Sequence, residues 1–219
     1  MVYLELCTEK CFREKQLLYL KENGRQVLDG SGFLSGLDNP DTFPEKAALI
    51  TFDDGYRSSL KIAAPILKKF SYPAIVFVPT AFIKMPLMLI FFLSRRNLFV
   101  PGMNCVNWKG MEYRYNSHSV SHPHFSRLSA EELFEEIHQS KKVLEANLDK
   151  EIHIFSFPYG DEGRDREETK SILRQAGYKA ACLYGSKPGD SSVAHRFGLP
   201  RIAVGPDTVM EEIIKNYST

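Results

Sequence analysis

The sequence predicts an α/β fold built on a parallel sheet. Three observations carry that prediction. Short apolar runs, such as Ala48 to Phe52 and Ile75 to Val78, stop at turn signals, the pattern of strands buried on both faces. Amphipathic helical stretches alternate with those runs, which is the βα order of a parallel sheet. The chain has 219 residues, 43% of them apolar and 12% aromatic, enough for one domain with a sizeable core and long enough for a barrel. A single domain over residues 1–219 is expected.

The elements follow in order. Phe12 to Glu22 carries Phe12, Leu17, Leu18 and Leu20 and is closed by Asn23-Gly24, so a first helix is expected there. Val27 to Leu37 is short and glycine-rich, and Asn39-Pro40 marks a loop. Ala48 to Phe52 is a buried strand. Ser59 to Phe70 places Leu60, Ala63, Ala64, Leu67 and Phe70 on one helical face. Pro65 either kinks that helix or begins its regular part. Pro73 to Pro79 is the next strand. Lys84 to Trp108 has no legible period. Within it Leu87 to Leu93 is apolar but far shorter than the roughly 20 residues that span a bilayer. It reads as core, with a partner or membrane-surface patch as the alternative.

Ser129-Ala130-Glu131-Glu132 is a capping box that opens a helix striped with Leu133, Ile137, Leu144 and Leu148. Ile152 to Phe157 is a strand, and Glu167 to Gln175 a helix closed by Gly177. Lys179 to Leu183 and Arg201 to Val204 read as short strands. Asp207 to Lys215 reads as a last helix with Asp207 near its N-cap.

Charge excludes more than it suggests. With 28 basic and 27 acidic residues the net charge is +1, which gives no argument for a nucleic-acid partner. Cys7, Cys11, Cys105 and Cys182 show no zinc-ribbon spacing and read as free thiols, although Cys7 and Cys11 can share a helical face. Met1-Val2-Tyr3-Leu4-Glu5 has neither the basic region nor the apolar length of a signal peptide.

Three stretches carry chemistry. Thr51-Phe52-Asp53-Asp54-Gly55 ends a strand in two adjacent carboxylates, which repel each other and call for a cation. The bland alternative is an Asp-Gly turn. His118-Ser119-Val120-Ser121-His122-Pro123 spaces two histidines by four, so that one helical turn ending at Pro123 would present both to one metal. Phe155 to Gly160 is a strand that ends in Pro158-Tyr159-Gly160. One carboxylate and two histidines are the three protein ligands of many catalytic zinc sites. His124, His138, His153 and His195 have no such context and read as structural or surface residues.

In this order the three stretches resemble the T-F-D-D-G, H-[ST]-x-x-H-P and P-Y-G motifs of the polysaccharide deacetylases, carbohydrate esterase family 4, the NodB-homology domain. The likeness runs from about Phe12 to about Val204. Leu17 to Gly24 and Leu199-Pro200-Arg201-Ile202 are most similar to the subgroup acting on poly-β-1,6-N-acetylglucosamine. The resemblance implies a distorted, incomplete (β/α) barrel with its site at the carboxyl ends of the strands. It also implies metal-dependent N-deacetylation of an N-acetylhexosamine polysaccharide, in a cell-envelope setting. It assigns a divalent metal, with Zn²⁺ the expected ion, to Asp54, His118 and His122, and the general base to Asp53. The backbone N–H of Tyr159 would stabilise the oxyanion, while Pro158 and Tyr159 shape the substrate groove.

Two departures qualify this. Many members carry an arginine where this chain has Ser156; the similar subgroup instead uses the arginine of its L-P-R-I segment, so the resemblance implies Arg201 as the partner of Asp53, with an ordinary surface arginine as the alternative. The family's histidine acid lies in an N-terminal Y-H-x-V segment or a late L-x-H motif, and neither is present. The chain begins at about the end of the first segment, so the expectation is a truncated sequence without that strand, an acid from another residue, or activity that is weak or lost. The rival readings are a metal- or glycan-binding domain without catalysis, and hydrolysis of a non-sugar amide.

Overall fold

The computed structural model describes residues 2–6, 14–56, 58–83, 113–185, 195–205 and 207–216. The expectations for Lys84 to Trp108, for Leu87 to Leu93 and for Cys7, Cys11 and Cys105 lie outside the described residues.

One parallel sheet organises the chain. Its strands are β1 (Val2–Leu6), β2 (Gln26–Leu28), β3 (Ala47–Phe52), β4 (Ala74–Val78), β5 (Tyr113–Ser117), β6 (Ile154–Ser156), β7 (Ala180–Cys182) and β8 (Ile202–Val204). The order is β7-β6-β5-β4-β3-β1-β8, with β2 beside β3. β3 shares one edge between two neighbours: Ala47 to Leu49 pair with β2, and Thr51 and Phe52 pair with β4. That split distorts the wall. The ends of the sheet approach through the segment before β8. Leu199 bridges to Cys182 on β7, and Ile202 to Val204 pair with β1. The architecture is the distorted, incomplete (β/α) barrel that the motifs imply.

β1 corrects one expectation. The strand before the first helix is not missing: Val2 to Glu5 pair with β3 and Leu4 to Leu6 with β8. Its apolar run, cut short by Glu5, is too brief to read as a strand. A second correction concerns Val27 to Leu37, which holds β2 and a helix, α2 (Gly30–Asp38). Three glycines lower its helix propensity. Asp29 compensates as N-cap, its Oδ1 accepting the Gly32 N–H at 2.8 Å.

Alternation along the strands separates two cores. Leu4, Ile50, Val76 and Phe155 face outward, under helices that contribute Leu17, Leu67, Ile137 and Leu173. Tyr3, Leu49, Ile75, Phe77 and Ile154 face into the barrel, where Phe33 and Leu37 of α2 join them. Phe33 is fully buried, worth about 1.5–3 kcal/mol. The inward face of β3 thus reads Leu49, Thr51, and next in step Asp53.

The remaining helices brace the outside: α1 (Glu14–Glu22), α3 (Ala64–Phe70), α4 (Ala130–Leu148), α5 (Arg166–Gln175) and α6 (Met210–Asn216). Pro65 stands in the first turn of α3, after a π-helical stretch over Ser59–Ala63, so it begins the regular part. The capping box forms: Ser129 Oγ accepts the Glu132 N–H and Glu132 Oε2 accepts the Ser129 N–H at 2.8 Å. α6 starts at Met210, three residues after Asp207, so Asp207 lies near the N-cap but not at it. No helix among the described residues is long and apolar enough to cross a membrane.

Candidate active site

The site forms where β3, β5 and β6 end. Asp53 and Asp54 follow β3, His118 follows β5, and Pro158 and Tyr159 follow β6. Asp53 continues the inward step of β3. Asp54 then takes a left-handed backbone, φ 64°, and Gly55 follows at 63°. That turn sends two adjacent carboxylates in different directions.

Asp54, His118 and His122 converge. Asp54 Oδ1 is 3.2 Å from His122 Nε2 and 3.7 Å from His118 Nε2, and the two Nε2 atoms are 3.2 Å apart. Bonds of about 2.0–2.1 Å at tetrahedral angles place ligand atoms about 3.3 Å from one another. The trio therefore fits a small divalent cation. His118 is 2% exposed, and its Nδ1 lies 2.8 Å from the Ser156 carbonyl oxygen. A carbonyl only accepts, so Nδ1 carries the proton and Nε2 presents its lone pair to the trio. Burial holds His122 below the usual histidine range, which favours the neutral ring that ligates.

The histidines do not share a helical turn, contrary to the reading of their spacing. They sit at the two ends of a loop in which Ser119 and His122 both have left-handed φ, 66° and 60°. Each such residue costs about 1–2 kcal/mol, so the surroundings must hold it. Val78 O accepts the His118 N–H, Ser119 O accepts the Thr80 N–H, and Val120 O accepts the Ala81 N–H. At the far end the His122 N–H donates to Ser119 Oγ at 3.0 Å. Glu136 of α4 takes the middle: its Oε2 accepts the N–H groups of Val120 and Ser121 at 2.8 and 3.0 Å, and its Oε1 accepts the Ser121 hydroxyl at 2.6 Å.

Arg201 is fully buried and grips Asp53 with a two-pronged fork, Nη1 to Oδ1 at 2.7 Å and Nη2 to Oδ2 at 2.6 Å. Its other N–H groups go to Thr51 Oγ1 at 3.1 Å, Ser156 Oγ at 2.8 Å and the Leu183 carbonyl at 2.7 Å. All five guanidinium donors are thereby used. The guanidinium carbon also lies 5.3 Å from the Phe77 ring centroid. Register explains the reach. Leu4 is level with both Ile202 and Ile50, so the Arg201 backbone lies low in the barrel and its side chain climbs past Thr51. The small Ser156 donates to Asp53 Oδ2 at 3.3 Å. Burial pushes the Asp53 carboxyl up, but the Arg201 charge, His118 and the hydrogen bonds outweigh it and hold it below the usual carboxylate range.

Tyr159 has φ 59° and is 56% exposed. The turn's own bonds use the N–H groups of Gly160 and Asp161, not that of Tyr159. Gly160, at φ 69°, lets the turn approach the next strand's exit: a Cβ there would lie 3.0 Å from the Tyr184 nitrogen. Pro158 is buried and opens the turn, while the Tyr159 ring beside it is exposed.

His124, read from the sequence as structural, lies beside Tyr159. Its ring stacks on Tyr159 at 4.0 Å and 14°, and its Nδ1 lies 3.6 Å from Asp161 Oδ2. His138 instead stacks on Phe134, and His153 pairs with Glu151, both away from the trio. Sequence reasoning missed Glu136, Thr51 and Asp161. Asp161 ties the turn to Ser126 through Oδ2, at 3.0 Å to the N–H and 2.6 Å to the hydroxyl.

Residues 41–181 match the family model described as polysaccharide deacetylase. A Bacillus subtilis protein, YxkH, named as a polysaccharide deacetylase, is 27% identical over 194 residues, 88% of this chain and 64% of that protein. The poly-β-1,6-N-acetyl-D-glucosamine N-deacetylase of Staphylococcus aureus is 25% identical over 214 residues, 93% of this chain and 69% of that one. The chain thus spans about two thirds of the length of these relatives. Among solved structures, the Streptococcus pyogenes deacetylase PplD superposes with a TM-score of 0.80 at 20% identity, covering 99% of this chain and 97% of that one. IcaB from Ammonifex degensii gives 0.74 at 20% identity, covering 100% and 97%. At that identity the likeness is one of fold.

Proposed function

The chain belongs to the polysaccharide deacetylase family, and from that membership we propose that it removes the acetyl group from N-acetylhexosamine units of a cell-envelope polysaccharide by metal-dependent hydrolysis. The observation that carries this reading is the Asp54, His118 and His122 trio beside an arginine-clamped Asp53. N-acetylglucosamine linked β-1,6 is the substrate favoured by the staphylococcal relative's name.

The residues divide the work. Asp54, His118 and His122 would hold the cation, Zn²⁺ by its ligand preference for two imidazoles and a carboxylate. A bound cation supplies polarisation of the amide carbonyl and lowers the pKa of attacking water to about 7. Asp53 is the general base. Its Oδ2 lies 3.7 Å from His118 Nε2, next to the ligand set without joining it. The fork from Arg201 keeps it ionised and aimed, and Oδ1 retains a lone pair for a water proton. The Tyr159 N–H would donate to the oxyanion of the tetrahedral intermediate. The Tyr159 ring, backed by His124, offers an apolar face against which a sugar can lie.

Hydrolysis of the amide releases one acetate and one free amine together. We expect equal yields of both from an N-acetylglucosamine oligomer, measured by enzymatic acetate assay and amine labelling. Release of neither product would favour a binding domain without catalysis.

A further inference from the structure

We propose that Glu136, on the outer helix α4, is a positioning residue for the metal centre: it fixes the loop that aims His122. The inference rests on the reading of Asp54, His118 and His122 as ligands, and extends it to a residue that touches none of them.

The two ends of the loop are secured differently. His118 is held at one end by its backbone bond to Val78 and its ring bond to Ser156. His122, at the other end, has a left-handed backbone, and its N–H donates to the hydroxyl of Ser119. Between them two consecutive N–H groups, of Val120 and Ser121, point at one oxygen of Glu136, and the Ser121 hydroxyl takes the other oxygen. A carboxylate is suited to this because it only accepts, and can receive all three donors at once. Alanine would leave the two N–H groups to water. The loop would then be free to relax toward right-handed backbone at His122, which swings its Nε2 away from Asp54.

α4 is a firm base for such a tie. Its N-terminus is locked by the capping box, and Leu133 and Ile137 on either side of Glu136 are buried in the core. Glu136 is half-buried against the loop, whereas neighbouring Glu135 is exposed. Partners one step beyond a metal's ligands typically contribute 10–100-fold to metal affinity.

The test titrates metal-free protein with Co²⁺ and follows both its affinity and its visible d–d absorption, which reports ligand geometry. The variants are Glu136→Ala, Glu136→Gln and Glu136→Asp, with His122→Ala as the control for the ligand set. Glu136→Ala is expected to bind Co²⁺ about 10–100-fold more weakly, with an altered spectrum. Glu136→Gln, whose amide oxygen still accepts both N–H groups, should stay within a few-fold of the parent. Should Glu136→Ala not fold, Glu136→Asp, one methylene short of the loop, carries the same expectation of weakened binding. A parental affinity and spectrum in Glu136→Ala, or in Glu136→Asp, would overturn the proposal while leaving the ligand reading intact. A glutamine variant as defective as alanine would overturn the acceptor argument. If the parent itself binds no Co²⁺, the ligand reading fails and this inference with it.

Discussion

Asp53→Asn is expected to lower acetate release by about 10²–10⁴-fold, the usual contribution of a general base. The amide has nearly the shape of the carboxylate but cannot take a proton from water at neutral pH. The metal ligands are untouched, so bound metal should match the parent. The substitution has a second consequence, because both carboxylate oxygens accept from Arg201. An amide nitrogen in one of those places sets donor against donor, so some loss of thermal stability accompanies the loss of rate. Acetate release and metal content measured on the same preparation separate the two effects. A folded, metal-replete Asp53→Asn protein with the parental rate would remove Asp53 from the role of base.

Arg201→Leu should be the most destabilising single change at the site. It strands the buried Asp53 carboxylate and removes the donors to Thr51, Ser156 and Leu183. Breaking a buried pair by deleting one partner costs about 3–5 kcal/mol. At about 2–4 °C per kcal/mol for a chain of this size, the melting temperature should fall by roughly 6–20 °C. Deleting both partners is far less costly than deleting one, so Arg201→Leu combined with Asp53→Leu should recover part of the loss. The sign in pH is fixed by the direction of the Asp53 shift. Its folded pKa lies below its unfolded one, near 4, so the pair's contribution is full above that value and is lost as pH falls through the folded one. Arg201→Leu should therefore show a shallower loss of stability in acid than the parent. A melting temperature within a degree or two of the parent would show that the fork contributes little.

What the sequence disclosed follows from the range of its physics. β3, β4 and β6 were legible because fully buried parallel strands are unbroken apolar runs. The cap of α4 was legible because a capping box is a four-residue local signal. β1 and α2 were not: Glu5 interrupts the first, and the second relies on Phe33 and Leu37 entering the barrel, a tertiary gain that overrides poor glycine propensity. The same divide runs through the site. Asp53, Asp54, His118, His122 and Tyr159 stand in short motifs at strand ends and are brought together there. The loop's left-handed residues were misread as a helical turn because i, i+4 spacing is compatible with both. Glu136 stands among five glutamates in residues 131–145 and looks like solvated helix surface until the fold sets the loop against it.

Asp54, His118 and His122 are proposed to hold one catalytic divalent cation. Elemental analysis of the purified protein beside His122→Ala, each dialysed against Zn²⁺ and then against metal-free buffer, tests it most directly. One zinc per chain is expected in the parent and a small fraction of that in the variant, with both proteins folded by circular dichroism. Equal zinc in the two would place the metal elsewhere and contradict the assignment.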